Sequence, residues 1–282
     1  MNSIRLKAYG KINIGLDVTG RRADGYHLVK MILQTVSLYD EVLVRRQEEG
    51  ITVKTNKPFL PCDERNLAYK AARAVMDRFS IHEGVRIDIG KNIPIAAGMA
   101  GGSTDAAAVL KAMDALFELN MDASVMDEIA LQLGADVPFC LRRGTWLAEG
   151  IGEELTKLPD MPSCFCLLVN PGFGVSTKQA YQKIDELSAP FHPDIDETIR
   201  ALGRRDLDEI ALSMGNILEQ AVIPDHPEID RIKEQMKKYG ALGAMMSGSG
   251  PTVFGLYDDE TLLENAYNSF EGADYGKFKI KL

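Results

Sequence analysis

Little in this chain points to metal, redox or membrane chemistry. It has only four cysteines and four histidines in 282 residues, and Cys62, Cys140, Cys164 and Cys166 form no paired C-x-x-C arrangement with a histidine at ligand spacing. They are expected to be buried, reduced thiols, with Cys164 and Cys166 on one face of the apolar segment CFCLLV. No stretch approaches the length of a membrane span, and the N-terminus lacks the apolar core of a signal peptide, so a soluble, cytoplasmic protein with no membrane partner is expected. Positive charge is also scarce. The 32 lysines and arginines are outnumbered by 41 aspartates and glutamates, for a net charge of −9. With no basic field to offset phosphate repulsion, nucleic acid is not expected as a partner. An anionic small molecule would have to be held by local cations.

What is present is an ordinary globular composition, 45% hydrophobic, at a length that favours two domains. Strands are expected at Ile4–Tyr9, Ile12–Val18 and Glu41–Arg46, and helices at Asn66–Phe79 and Met121–Leu133. Gly134 suits a C-cap to the second of these helices, and Pro138 a stop. Residues near Pro159–Pro162 read as a hinge, placing the domains at 1–158 and 159–282. Beyond it come a core strand at Phe165–Val169, helices near Thr177–Leu187, Asp206–Leu212 and Glu228–Tyr239, and strands at Thr252–Tyr257 and Lys277–Lys281. The class is α+β.

The most informative segment is PIAAGMAGGSTDAAA, from Pro94 to Ala108. Val85, Ile87 and Ile89 alternate ahead of it as a strand would; Val109, Met113, Leu116 and Phe117 behind it make one apolar helix face. Gly98, Gly101 and Gly102 let the backbone turn tightly, and the helix start that follows presents unpaired N–H groups and a positive dipole end. The run is neither a P-loop, since Gly102 rather than lysine precedes Ser103, nor a dinucleotide fingerprint. Taken alone, it is either a phosphate cradle or a plain helix start.

Three further segments carry polar groups worth weighing. Lys11 and Asn13 sit two residues apart on one strand face, either gripping a ligand or simply solvated. Asp136, in GADVPF, either accepts a proton from a hydroxyl or satisfies local N–H groups at a helix end. The cluster MMSGSGPTVFGLY, Met245–Tyr257, either supplies N–H donors to an anion or forms a structural hairpin.

Together these strings resemble the GHMP kinase superfamily, whose members carry an N-terminal strand motif, a central glycine-rich phosphate loop and a C-terminal glycine motif in this order. KINIGLDVTGRRADGYH, LGADVPF and SGSGPTVFGLY resemble the branch that serves the non-mevalonate isoprenoid route. Where that branch often has leucine this chain has Met99, and its serine pair is Ser103–Thr104; both keep size or hydroxyl chemistry. The resemblance implies a ribosomal-protein-S5-like N-terminal domain, a ferredoxin-like C-terminal domain and an active site in the cleft between them. It implies ATP as co-substrate with Mg2+, whose protein ligands no acidic cluster identifies. It implies Lys11 and Asp136 as the catalytic pair. The ATP phosphates would be wrapped by Pro94, Ile95, Ala96, Ala97, Gly98, Met99, Ala100, Gly101, Gly102, Ser103 and Thr104. The acceptor would be a small molecule, a cytidine diphosphate-linked methylerythritol phosphorylated on its 2-hydroxyl. Asn13, Tyr26 and His27 would line its site, with Tyr26 stacked on the cytosine, His27 on the base edge and Tyr181 as a second aromatic. The chain would be a monomer or weak homodimer. Two rivals are another kinase of the superfamily, acting on homoserine, mevalonate or a sugar, and a non-catalytic nucleotide- or RNA-binding module. The GYH string argues against the first, and the acidic charge with the Lys11/Asp136 pair against the second.

Overall fold

The computed structural model describes residues 1–282, which form two compact units. The first comprises Met1–Gly10, Leu38–Ile93 and Ala100–Arg143; the second comprises Lys11–Ser37, Pro94–Met99 and Gly144–Leu282. Strands β1 (Ser3–Arg21) and β2 (His27–Gln47) each give one end to each unit. The sequence suggested two strands where β1 runs unbroken, because a glycine such as Gly10 interrupts a strand only when its backbone leaves the extended region. Since both long strands pass through both cores, no single cut of the chain separates the units. The 158/159 boundary and the Pro159–Pro162 segment lie inside the second unit, and Met161 is buried there.

In the first unit, β3 (Ile51–Thr55) lies parallel to β4 (Gly84–Gly90), and α1 (Leu67–Phe79) connects them. The C-terminal end of β2 pairs antiparallel with β4, Glu41 opposite Gly90 and Gln47 opposite Gly84. Asn66 caps α1, its Oδ1 accepting from the Ala68 N–H at 2.9 Å. The glycine loop then leads into α2 (Gly101–Phe117), followed by α3 (Ala123–Leu133) and α4 (Val137–Cys140). Ala68, Ala71 and Ala72 of α1 and Ala106, Ala107 and Ala112 of α2 share one buried cluster with Val42, Val44 and Ile87 of the sheet. Such short side chains let the helices approach closely. Every residue of α2 from Thr104 to Leu110 is buried, so it is wrapped on all sides rather than along the single expected stripe. Gly134 is the C-cap of α3, as expected. Pro138 does not halt helicity; it occupies the first turn of α4, where its missing N–H removes no helical bond.

In the second unit, the N-terminal end of β2 pairs antiparallel with β5 (Thr145–Glu149), itself in a hairpin with β6 (Glu154–Lys157). The remaining elements are β7 (Phe165–Asn170), α5 (Thr177–Glu186), α6 (Ile195–Arg204), α7 (Leu207–Ser213), β8 (Gly215–Asn216), α8 (Glu219–Val222), α9 (Glu228–Lys238), β9 (Gly243–Met246), β10 (Val253–Tyr257), α10 (Glu260–Asn268) and β11 (Gly276–Lys281). The short β8 adds a parallel rung to β1 at Gly15 and Leu16. A four-stranded sheet runs β11-β7-β10-β9, antiparallel throughout. Taken in chain order as β7, helix, β9, β10, helix, β11, this is the ferredoxin-like arrangement. Cys164 and Cys166 are buried free thiols, and burial pushes Cys164 up to about 11 and Cys166 well above its ordinary value. Cys62 departs from expectation: it is exposed, because it lies in the turn-rich connection before α1 rather than in a strand.

Candidate active site

The glycine loop enters α2 through three left-handed residues, Ala96 (φ 52°), Gly98 (φ 73°) and Ala100 (φ 56°). The expectation that Gly98, Gly101 and Gly102 do the turning holds only for Gly98; the other two lie in the first turn of the helix. For the two alanines the left-handed region costs about 1–2 kcal/mol each, so the surrounding hydrogen bonds must hold them there. Gly101 is small for a packing reason, since a Cβ would come 3.2 Å from Lys91 Nζ and 3.3 Å from Ile93 Cγ2. Ala100, the N-cap, offers no capping side chain, and the first turn holds no acidic residue. The N–H groups of Gly101, Gly102 and Ser103 therefore lack intrahelical acceptors and face the positive end of the dipole, as an anion requires. Thr104 anchors that turn through Oγ1, which donates to the Tyr9 carbonyl at 2.7 Å.

Within the second unit, Lys11, the preceding part of the loop and the β9–β10 turn form one hydrogen-bonded assembly. Lys11 Nζ donates to Asn13 Oδ1 at 2.5 Å and to the Gly98 carbonyl at 2.7 Å. Ser247 Oγ donates to the same carbonyl at 3.0 Å and accepts from the Asn13 N–H at 3.3 Å. Gly98 can have no side chain, because a Cβ would overlap the Ser247 carbonyl oxygen. At Gly248 a Cβ would stand 3.2 Å from both Lys11 Nζ and Asn13 Oδ1. A solvated strand face is thus not what the chain adopts: Lys11 is 5% and Asn13 1% exposed. The SGSG cluster does form a hairpin, yet the same turn packs on Lys11 and the loop.

Asn216 on β8, which the sequence did not single out, supports that turn. Its Nδ2 donates to the Met246 and Gly248 carbonyls, both at 2.8 Å, and its Oδ1 accepts from the Leu218 N–H at 3.0 Å. Asn216→Ala strands these buried groups and is expected to cost about 2 kcal/mol, read by chemical denaturation. A loss under about 0.5 kcal/mol would show the turn to be held without it.

Asp136 is the N-cap residue of α4 in the first unit, but its side chain makes no capping hydrogen bond. The short helix is clamped from its far end instead: Arg142 Nη1 donates to the Pro138 carbonyl at 2.6 Å, Arg142 binds Asp127 of α3 through two N–H groups, and Lys111 Nζ donates to the Leu141 carbonyl at 2.6 Å.

The expected base-binding residues gather in the second unit. Tyr26 is 60% exposed in the turn between β1 and β2. His27, which begins β2, meets Asp185 through Nε2 at 2.7 Å, and Arg21 holds the other oxygen of Asp185 at 3.1 Å. The Tyr181 ring of α5 lies 4.9 Å from that of His27, inclined by 33°. Asp185 escaped the sequence reading, although it follows Tyr181 by one helical turn and so shares its face.

The chain matches the family model described as GHMP kinases N terminal domain over residues 66–144, and that described as GHMP kinases C terminal over residues 198–276. It belongs to the GHMP kinase family. Among its relatives, a 4-diphosphocytidyl-2-C-methyl-D-erythritol kinase of Lachnospira eligens is 53% identical over 92% of this chain and 91% of its own. Its counterpart in Lachnoclostridium phytofermentans is 48% identical over 98% of this chain and 96% of its own. A crystal structure of 4-(cytidine 5'-diphospho)-2C-methyl-D-erythritol kinase superposes with a TM-score of 0.84 at 31% identity, covering 99% of this chain and 98% of that one. Homoserine kinase from Cytophaga hutchinsonii, at 22% identity and a TM-score of 0.80 over 100% of this chain and 94% of that one, shares the fold.

Proposed function

We propose that this chain transfers the γ-phosphoryl group of ATP to the 2-hydroxyl of 4-diphosphocytidyl-2-C-methyl-D-erythritol, giving the 2-phosphate and ADP. The observation that carries the reading is the convergence, within the second unit, of Lys11, the Gly98 carbonyl and the Ser247–Gly248 turn; in the first unit, the uncapped, acid-free start of α2 supports it. The names of the curated relatives support the substrate. Such a transfer needs positioning and charge neutralisation rather than covalent help. Asp136, whose carboxylate is not engaged in capping α4, orients the acceptor hydroxyl and receives its proton. Lys11, held by Asn13 and Gly98, stabilises charge on the moving phosphoryl group. The N–H groups of Gly101, Gly102 and Ser103 hold the departing diphosphate.

A divalent cation such as Mg2+, entering with the nucleotide, would supply charge neutralisation for the transferring phosphoryl group. The chain gathers no group of three or more histidine, cysteine or acidic side chains able to hold a metal ion.

At the base, Tyr26 supplies a flat face and Tyr181 a second aromatic. His27, whose Nε2 is bonded to Asp185, keeps Nδ1 for the polar edge of the base. The chain acts in the cytoplasm as a monomer or weak homodimer, and the segments 1–158 and 159–282 carry its two family matches without being separate compact units.

A coupled ADP-release assay is expected to show turnover with the cytidyl substrate and none with homoserine or mevalonate; the reverse preference, or no inhibition by CMP, would sink the assignment. Tyr26→Ala is expected to raise KM for the cytidyl substrate about tenfold through lost stacking, with KM for ATP unchanged. An equal rise in both constants would remove Tyr26 from the base site.

A further inference from the structure

Three charged side chains lie buried under the first turn of α2. Lys91, between β4 and the glycine loop, is 5% exposed; Asp40 of β2 is 0% and Asp105 of α2 is 4% exposed. The Lys91 ammonium donates to Asp40, to Asp105 Oδ2 at 2.7 Å and to the Gly101 carbonyl at 3.2 Å. It therefore links the end of one strand, the edge of another and the first residue of the helix.

The two carboxyls are not equivalent. Asp40 takes the Lys91 ammonium on Oδ2, while its Oδ1 accepts from the Asn92 N–H at 2.5 Å and the Ile93 N–H at 2.8 Å. Asp105 has the ammonium on Oδ2, and its buried Oδ1 has no hydrogen-bond partner. Three donors stabilise an anion at Asp40. A half-unsatisfied carboxyl buried in the same pocket is far cheaper neutral than charged.

We propose that Lys91, Asp40 and Asp105 form a positioning triad that seats the phosphate-binding turn, with Asp40 ionised and Asp105 carrying a proton, so that the pocket beneath that turn has no net charge. Were both carboxylates ionised, the triad would be net negative under the N–H groups of Gly101, Gly102 and Ser103 and would oppose an incoming phosphate. Burial pushes the Asp105 carboxyl up to about 8; the Lys91 charge pulls it down and the Asp40 charge pushes it up. The charges acting on Asp105 are those of Lys91 and Asp40, and the buried residues of α1, α3 and α4, which pack on α2, are all uncharged.

The inference rests on the kinase reading, and two measurements separate them. Isothermal titration of Lys91→Gln is expected to show ADP bound about tenfold more weakly, with CMP affinity within about twofold of wild type. A merely structural defect would weaken both. Wild-type protein that binds neither ligand would bring down the kinase reading and this inference with it; wild-type binding of both, beside an unaltered variant, overturns the inference alone. Should Lys91→Gln fail to fold, Asp105→Asn still decides the proton. Between about pH 4 and pH 8 an unfolded aspartate is ionised while the folded one keeps its proton. The native state then binds more protons, and this group's contribution to stability falls as pH rises. Asp105→Asn is expected to flatten that decline in the melting temperature. An unchanged pH profile would overturn the assignment of the proton.

Discussion

Asp136→Asn is expected to lower kcat by about a thousandfold, within the range for loss of a positioned general base, while ADP binds as before. The amide has the same shape but cannot take up a proton, so positioning by neighbouring groups survives and proton acceptance does not. The structure makes this a clean substitution. Because the Asp136 side chain makes no hydrogen bond that caps α4, and because α4 is clamped through Arg142 and Lys111, the helix loses no anchor. Thermal stability should therefore change little. Steady-state kinetics beside a melting curve checks both halves, and a variant that turns over like wild type would refute the assigned role.

Gly98→Ala is expected to be the most damaging small substitution in the chain. Two independent penalties fall on one methyl group. The backbone at φ 73° is a conformation alanine adopts only under strain, and the added Cβ would overlap the Ser247 carbonyl oxygen. Backbone atoms on both sides cannot step aside as a flexible side chain would. Either the loop or the β9–β10 turn must move, and both are bonded to Lys11 through the Gly98 carbonyl. A loss of more than about 3 kcal/mol is expected from such combined mechanisms, together with at least a tenfold rise in KM for ATP. Ala96 and Ala100 provide the contrast. They already hold left-handed φ values, so exchanging either for glycine would relieve strain rather than add it. A Gly98→Ala protein with wild-type stability and ATP affinity would mean that the loop tolerates displacement from Ser247.

Much of the local structure was legible from residue order. The alternation in GVRIDIG, the alanine face after Asn66 and the glycine after Leu133 each point to a strand, a helix and a cap that the chain adopts, because these signals depend on neighbours within a turn or two. Less legible were elements whose reason for forming is remote. Strand β9, GAMM, is short and has no alternation of its own, and it is a strand because β10 pairs with it. Helix α6 is studded with charge, and only the burial of Ile195, Thr198, Ala201 and Leu202 reveals its inner face. Asp105 was not singled out in residue order, because α2 carries a second acid, Asp114, and the partners Asp40 and Lys91 lie 65 and 14 residues away.

By itself, residue order settled Gly98 as a turning residue ahead of α2, the placement of Lys11 and Asn13 on one strand face, and the α+β succession, since all follow from backbone sterics and short periodicities. Tertiary structure alone decided that Lys11 and Ser247 share the Gly98 carbonyl, that Asn216 holds the hairpin turn, and that β1 and β2 each serve two cores. Those outcomes depend on strand register and on closing contacts between distant segments, and no local pattern encodes which distant carbonyl a side chain will reach.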